Sequence, residues 1–458
     1  MRQQELIKSR GNEIRSIRAI RSLVQQRWLV VVVALMLTGF GAAITGILFK
    51  VGVHTLDTWR LNLLSRLPAW IVLPALGTIG GFTSGTLIQK FAPAASGSGI
   101  AQVMAFIRHK QVPMGLKVGL VKLIAGIISI GSGFPLGPEG PSVQMGGSVA
   151  WQMAEWLKAP IAFRRVIVAA GGGAGIAAIF SAPIGGFIYA IEELLNSARP
   201  IVLLLVVVTT FWADTWADVL QAIGLDPKAG GFDNVLGFQL QREYSPVINF
   251  LPIDLGYLIG LGIVIGFIAE LYCRYVLTMQ RQGNIWFENK FVLRMVLSGF
   301  ILGIIYSFLP DTFHHLGKLE SLIAEGNATL SVALATFLIL FISTGIAAAS
   351  GAPGGLFYPM IILGGSIGLA CGNWVEGLTG HVPTTYIFAG MGAFISACSR
   401  TPITAMFLAF ALTKDLLILK PLLVACISSF LIARIFNESS IYERQIKLEL
   451  GNSKQLEN

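Results

Sequence analysis

Between Ala328 and Val375 the chain carries no Asp, Glu, Lys or Arg. A straight bilayer crossing takes about 20 apolar residues. The stretch therefore holds two membrane segments, and Gly351, Pro353, Gly354 and Gly355 mark the break between them. Composition agrees: of 458 residues, 54% are hydrophobic and 12% charged, with a mean hydropathy of +0.72. A soluble chain carries about twice that charged fraction. The expectation is an all-α polytopic membrane protein whose 52 glycines let helices approach closely.

The other uncharged runs are 28–49, 67–89, 91–107, 123–138, 140–154, 166–191 and 200–213, then 255–269, 295–310, 382–399, 401–413 and 421–433. Runs 91–107 and 140–154 are too short to cross alone, and several runs contain Gly and Pro. They read as tilted or broken helices, some ending near the membrane midplane. Residues 1–27 form a basic segment, with Arg2, Lys8, Arg10, Arg15, Arg18, Arg21 and Arg27 ahead of the first span. That bias places the N-terminus in the cytoplasm and accounts for part of the net charge of +9 without any nucleic-acid partner. Ile14, Ile17, Ile20 and Leu23 predict a short amphipathic helix on the cytoplasmic surface. Run 28–49 has no small-residue cleavage site, so no signal peptide is expected. The membrane domain spans 28–442, a polar loop over 224–250 separates two halves, and 443–458 is a short cytoplasmic tail. Cys273, Cys371, Cys398 and Cys426 lie far apart with no CxxC pair, and read as packing residues.

The halves repeat, at about 28–214 and 251–437. Set Ser132 against Ser350, an offset of 218, and Gly133, Pro135, Gly137 and Pro141 meet Gly351, Pro353, Gly355 and Pro359. Gly146-Gly147-Ser148 meets Gly364-Gly365-Ser366. At an offset of 219, Ala170-Gly171, Gly173-Ala174 and Pro183-Ile184 meet Ala389-Gly390, Gly392-Ala393 and Pro402-Ile403. Repeated halves with interrupted apolar segments at matching places predict a transporter-type site at the repeat interface.

One acid lies in this region. No charged residue other than Glu139 stands between Lys122 and Glu155. An ionisable group in such surroundings is costly and marks function; the plainer reading is a carboxylate at the helix start signalled by Gly140-Pro141. The interrupted segments begin at Gly97-Ser98-Gly99-Ile100, Gly137 to Pro141, and Gly355-Leu356-Phe357-Tyr358-Pro359. A helix that starts in mid-membrane presents unpaired amides and a positive dipole end. Several such ends hold a small anion firmly enough to dehydrate it and loosely enough to release it. The path predicted is therefore anionic.

These three motifs, in this order and spacing, resemble the selectivity-filter motifs of the CLC family of chloride channels and chloride/proton exchangers, in its prokaryotic form without CBS domains. The resemblance runs from about the first span to Tyr442. It implies a fold of two inverted repeats, a transport domain over 28–442, and a homodimer with one pathway per subunit. It also implies that Ser98 and the amides of Leu356 and Phe357 ligate chloride, with the Tyr442 hydroxyl completing the site from the inner side. Glu139 would be the outer gate and proton acceptor, and Glu193 the inner proton-transfer acid. The plainer reading of Glu192 and Glu193 is a pair of charges ending a helix at the membrane surface. The chain departs from the family pattern twice. Ala101 stands where Pro is usual, which is expected to loosen the turn into the helix. Pro138 stands where Arg or Lys is usual, which removes a positive charge beside the gate. Ser98 resembles the chloride-preferring members.

The function expected is proton-coupled chloride exchange across the inner membrane of a bacterium, with both termini cytoplasmic and chloride and protons as the moving partners. The alternative is a passive voltage- or pH-gated chloride channel. No cofactor or metal is expected. An enzyme is not expected either: His54, His109, His314, His315 and His381 lie outside the motif-bearing segments, so Ser98 and Ser132 have no base. Gly171-Gly172-Gly173-Ala174-Gly175 lies in a helix-length run with no preceding strand and reads as close helix packing. Asn327-Ala328-Thr329 matches a glycosylation sequon and carries no weight here.

Overall fold

The computed structural model describes residues 2–197, 199–225, 250–288, 290–379 and 383–456, and their side chains apart from those of 2–27, 224–225, 379 and 449–456. The uncharged runs become helices, and the Gly/Pro clusters become the breaks between them. The first half contains α1 (Arg2–Leu64), α2 (Ala69–Phe91), α3 (Ile100–Ile107), α4 (Leu116–Gly131), α5 (Glu139–Trp156), α6 (Ile161–Phe180), α7 (Pro183–Tyr189) and α8 (Pro200–Leu220). The second contains α9 (Asp254–Trp286), α10 (Phe291–Ser307), α11 (Leu316–Ala324), α12 (Leu330–Ser350), α13 (Phe357–Thr379), α14 (Thr384–Ser399), α15 (Pro402–Thr413) and α16 (Leu419–Phe436). A last helix, α17 (Ile441–Leu456), follows. Eight spans among the described residues are long and apolar enough to cross a membrane.

The offsets of 218 and 219 lay α1–α8 over α9–α16 one by one, leaving α17 outside the repeat. Details repeat as well. Gly133 and Gly351 both take positive φ after the ends of α4 and α12, and Ser181 and Arg400 are left-handed caps of α6 and α14. Pro183 and Pro402 both open their helices, where a missing N–H costs nothing. At the centre, Gly137 and Gly355 form an antiparallel bridge, exchanging backbone hydrogen bonds of 2.9 and 2.7 Å. These two glycines occupy the same place in the two repeats. Equivalent strands that pair antiparallel are related by a two-fold axis between them, so the repeats are inverted.

Glycines set the helix approaches. A Cβ on Gly171 would stand 2.4 Å from the Gly146 carbonyl oxygen, and one on Gly390 would stand 2.4 Å from that of Gly364. The α5–α6 and α13–α14 crossings are thus the same backbone contact made twice. Across the repeats, α2 meets α10 where Gly77 faces Gly299.

One expectation is met in detail and one changes. Run 166–191 is two helices, α6 and α7, with Ser181 turning the chain between them. The basic segment is no separate short helix, because α1 runs unbroken from Arg2 to Leu64. No Gly or Pro lies between Leu23 and Thr38 to stop it. The polar loop expected over 224–250 lies outside the described residues except at its two ends.

Candidate functional site

The three Gly-rich turns are stitched together by their backbones. Gly97 N–H donates to Gly351 O (2.8 Å), and Gly137 pairs with Gly355. Gly97 and Gly99 take φ of 68° and 95°, which a side chain would strain. A Cβ on Gly140 would lie 2.1 Å from Ser98 O, so the first and second turns touch through backbone. Lys122, fully buried in α4, donates to Ala95 O (3.1 Å) and Gly97 O (2.6 Å) and pins the first turn. The turn that Ala101 was expected to loosen is closed by its neighbour. Gln102 accepts from Gly99 N–H (2.8 Å) and donates to Ser96 O (3.1 Å). Ile100 and Ala101 lie buried at the start of α3. Pro138 sits in helical backbone as the cap of α5, and its carbonyl accepts from Ser142 N–H and Oγ. Pro141 lies inside the first turn of α5, and Pro359 in that of α13.

Glu139 is completely buried. Its carboxylate caps the helix of the other repeat: Oε1 accepts from the amides of Phe357 (2.5 Å) and Tyr358 (3.3 Å) at the start of α13. Oε2 has no hydrogen-bond partner among the described residues. The acid thus occupies the place at a helix N-terminus that favours an anion. Leu356, buried at the last position before α13, accepts from Met360 N–H (3.0 Å).

Beyond Phe357 lie two phenols. The Tyr442 ring centroid is 5.8 Å from that of Phe357 and the Tyr189 centroid 6.0 Å, both edge to face. Both rings are fully buried, and neither hydroxyl has a partner among the described residues. Buried polar groups are ordinarily bonded, so two such hydroxyls around one ring are left available to a ligand. Ser98 is also buried, and its Oγ accepts from Ile100 N–H (3.4 Å). The helix α17, which carries Tyr442, packs on α3 just beyond Ser98.

Glu193 lies in a π-helical turn, Ala190–Leu195, that continues α7. It is buried, and Oε1 accepts from Ser440 Oγ (3.1 Å). Ser440 stands just before α17, so Glu193 and Tyr442 share one base. Arg108, at the end of α3, pairs with Glu443 there. Glu192 does something different. It accepts from Thr404 N–H and Oγ1 (each 2.7 Å) and caps α15. Neither acid is a mere surface charge. Glu270 anchors the same end, pairing with Arg400 (2.8 Å), Arg444 (2.7 Å) and Arg274 (3.0 Å). Glu139 and Glu193 do not touch; Tyr189 interacts electrostatically with both.

Sequence reasoning passed over Tyr189, Lys122 and Ser440. Lys122 had a visible signal, as the last cation before a long apolar run. Tyr189 had a weaker one, as a phenol at the end of an uncharged run, three residues before Glu192. Ser440 had none, because its role depends on a contact 247 residues away. His314 and His315 are buried beside Asp57 and Arg60, while His381 lies outside the described residues.

The family model described as Voltage gated chloride channel matches residues 80–434. The chain is 27% identical over 438 residues to the H(+)/Cl(-) exchange transporter ClcA of Vibrio parahaemolyticus, covering 93% of this chain and 91% of that protein. It is 28% identical over 439 residues to the protein of the same name from Vibrio cholerae, covering 92% and 89%. The structure of a slow cyanobacterial Cl-/H+ antiporter matches with a TM-score of 0.81 at 26% identity, over 92% of this chain and 98% of that one. A eukaryotic CLC transporter shares the fold, with a TM-score of 0.77 at 20% identity, over 93% and 75%. With its Gly-rich turns, inverted repeats and a family match over most of its length, the chain belongs to the voltage gated chloride channel (CLC) family and is an integral, multi-pass membrane protein.

Proposed function

We propose that the protein exchanges chloride for protons across a bacterial inner membrane, with both termini cytoplasmic. The observation that carries this reading is the Glu139 carboxylate bonded to the amides of Phe357 and Tyr358. A carboxylate and a halide compete for the same donors, so chloride arriving at α13 displaces Glu139. The freed carboxylate then takes a proton, and the neutral side chain no longer competes for the amides. Ser98, the amides of Leu356 and Phe357, and the Tyr442 hydroxyl hold chloride on the inner side of this gate. The proton leaves inward toward Glu193, and the Tyr189 hydroxyl lies on the way. Each swap moves chloride one way and a proton the other. Relatives named as exchangers support the reading. Two copies, each with its own pathway, form the working unit.

The test is chloride and proton flux recorded together from purified protein in liposomes. A chloride gradient is expected to drive protons uphill. Chloride flux with no proton movement would instead make the protein a passive channel.

A further inference from the structure

One cavity lies outside the site described above. The last turns of α1 (Asp57 and Arg60), the first half of α2 (Gly77), the turn after α4 (Ser132 to Leu136), α10 (Leu302 and Tyr306) and the segment around His314 line a cavity of about 50 Å³, with Tyr358 in the wall. One water needs roughly 10–15 Å³ measured this way. The space therefore holds a small ion with a few waters. With a cytoplasmic N-terminus, α1 reaches this point after one crossing, so the cavity is external. Leu136 and Tyr358 connect it to the gate, since Tyr358 N–H is bonded to Glu139.

Arg60 is built into this wall. It is 6% exposed. Its Nη2 pairs with Asp57 and donates to His314 O (2.9 Å). Its Nε has no partner among the described residues, and no protein acceptor for Nη1 is found among them. Nη1 stands 3.0 Å from where a Cβ on Gly133 would project; the glycine leaves that side open at φ +110°. A buried guanidinium with unfilled donors is costly unless an acceptor arrives. The surroundings fix its charge. His315 Nδ1 accepts from Lys318 N–H (3.1 Å), which leaves Nε2 as the protonated nitrogen, 3.2 Å from Asp57 Oδ2. His315 is thereby held neutral, and Asp57 balances Arg60. Glu320 lies outside this lining, within electrostatic reach of Tyr358 in the wall. The cluster thus sets unfilled N–H donors of Arg60 near two acids, Asp57 and Glu320, which also carry unpartnered oxygens among the described residues, so an anion on Arg60 is captured briefly rather than tightly retained.

We propose that this cavity is an outer anion site, in which chloride, still partly hydrated, rests on Arg60 Nη1 before it displaces Glu139. The proposal rests on the chloride-transport reading, and two measurements separate the two. Crystals of the wild-type protein soaked in bromide are expected to show anomalous density beside Arg60, apart from any peak near Ser98, Phe357 and Tyr442. Bromide at those inner residues with only water beside Arg60 would overturn it. In sided flux assays, Arg60→Gln is expected to raise the external chloride concentration for half-maximal transport about tenfold, the effect of losing one charge-assisted bond. The internal value should stay unchanged. Arg60→Lys, which keeps the charge beside Asp57, should show a smaller shift with the same sidedness. Equal changes on both faces, or none in a folded variant, would overturn the proposal. Failure of the wild-type protein to move chloride would refute the transport reading, while the bromide map would still decide the cavity.

Discussion

Glu139 is hydrogen-bonded at the start of α13 by two amides through Oε1, while Oε2 is unpartnered among the described residues. A full complement of bonds would lock the carboxylate in place; this partial set leaves it displaceable. Glu139→Gln is expected to abolish proton movement while chloride flux survives, because a carboxamide takes up no proton at physiological pH. Proton uptake against its gradient by this variant in liposomes would refute the gate assignment. At Glu193 one hydrogen bond, from Ser440, orients the acid. Such a bond is worth about 1 kcal/mol, or roughly a fivefold effect. Ser440→Ala is therefore expected to slow proton transport several-fold relative to chloride transport, read as a fall in the proton-to-chloride ratio, with Ser440→Thr restoring it. Equal slowing of both ions would make Ser440 merely structural. Tyr189→Phe removes one hydroxyl from a ring that still packs edge-on to Phe357, and is expected to cut proton flux more than chloride flux. At this scale the motif residues were legible in sequence, because Gly-rich turns and a lone acid are local signals. Tyr189 and Ser440 were not, because what they do is defined by contacts across the fold.

At the scale of elements, function depends on where helices start. The turns before α3, α5 and α13 are held by Lys122, Gln102 and the Gly137–Gly355 bridge. Lys122→Met leaves Ala95 and Gly97 carbonyls without that donor, and is expected to weaken halide binding measured by calorimetry while Glu139 still caps α13. Unchanged halide affinity would show that Lys122 does not shape the site. The close helix crossings give a sharper contrast. Gly171→Val and Gly390→Val place carbon 2.4 Å from a backbone oxygen, and each is expected to destabilise by roughly 1–3 kcal/mol or more. Gly256→Ala has nothing within 4 Å and is expected to be neutral or slightly stabilising. Melting temperatures in detergent would separate the two groups, and equal shifts would contradict the account. The sequence marked the short and broken helices well, because a run's length and its Gly/Pro content are properties of the run itself. It left open where run 166–191 breaks: Pro183 opens α7, and Ser181 turns left-handed just before it with no Gly to announce the turn. It also missed the continuity of α1, whose change from basic to apolar looks like a boundary although the backbone continues.

At the scale of the molecule, the inverted repeat brings residues 218 apart onto one axis. Gly137 bonds Gly355, and Glu139 bonds Phe357, its own counterpart in the other half. The asymmetry carries the function: an acid in one repeat faces the amide of an aromatic residue in the other. The repeat offset aligns Glu139 with Phe357, but that the two are bonded follows only from the two-fold meeting of the turns in the fold. The cluster of Asp57, Arg60 and His315 was not legible, because its members come from distant segments and share no motif. If each subunit has its own pathway, a tandem-linked dimer with one Glu139→Gln half should keep about half the proton flux of the wild-type dimer at nearly full chloride flux. Complete loss would mean that the subunits share one pathway.

The most direct test of the central claim, that a carboxylate and a halide share the amides of Phe357 and Tyr358, is anomalous density from bromide-soaked Glu139→Ala crystals. The account predicts bromide bonded to those two amides in the variant, where the wild-type protein at the same bromide concentration keeps its carboxylate. Water alone at those amides in the variant, with bromide bound elsewhere in the same crystal, would contradict it.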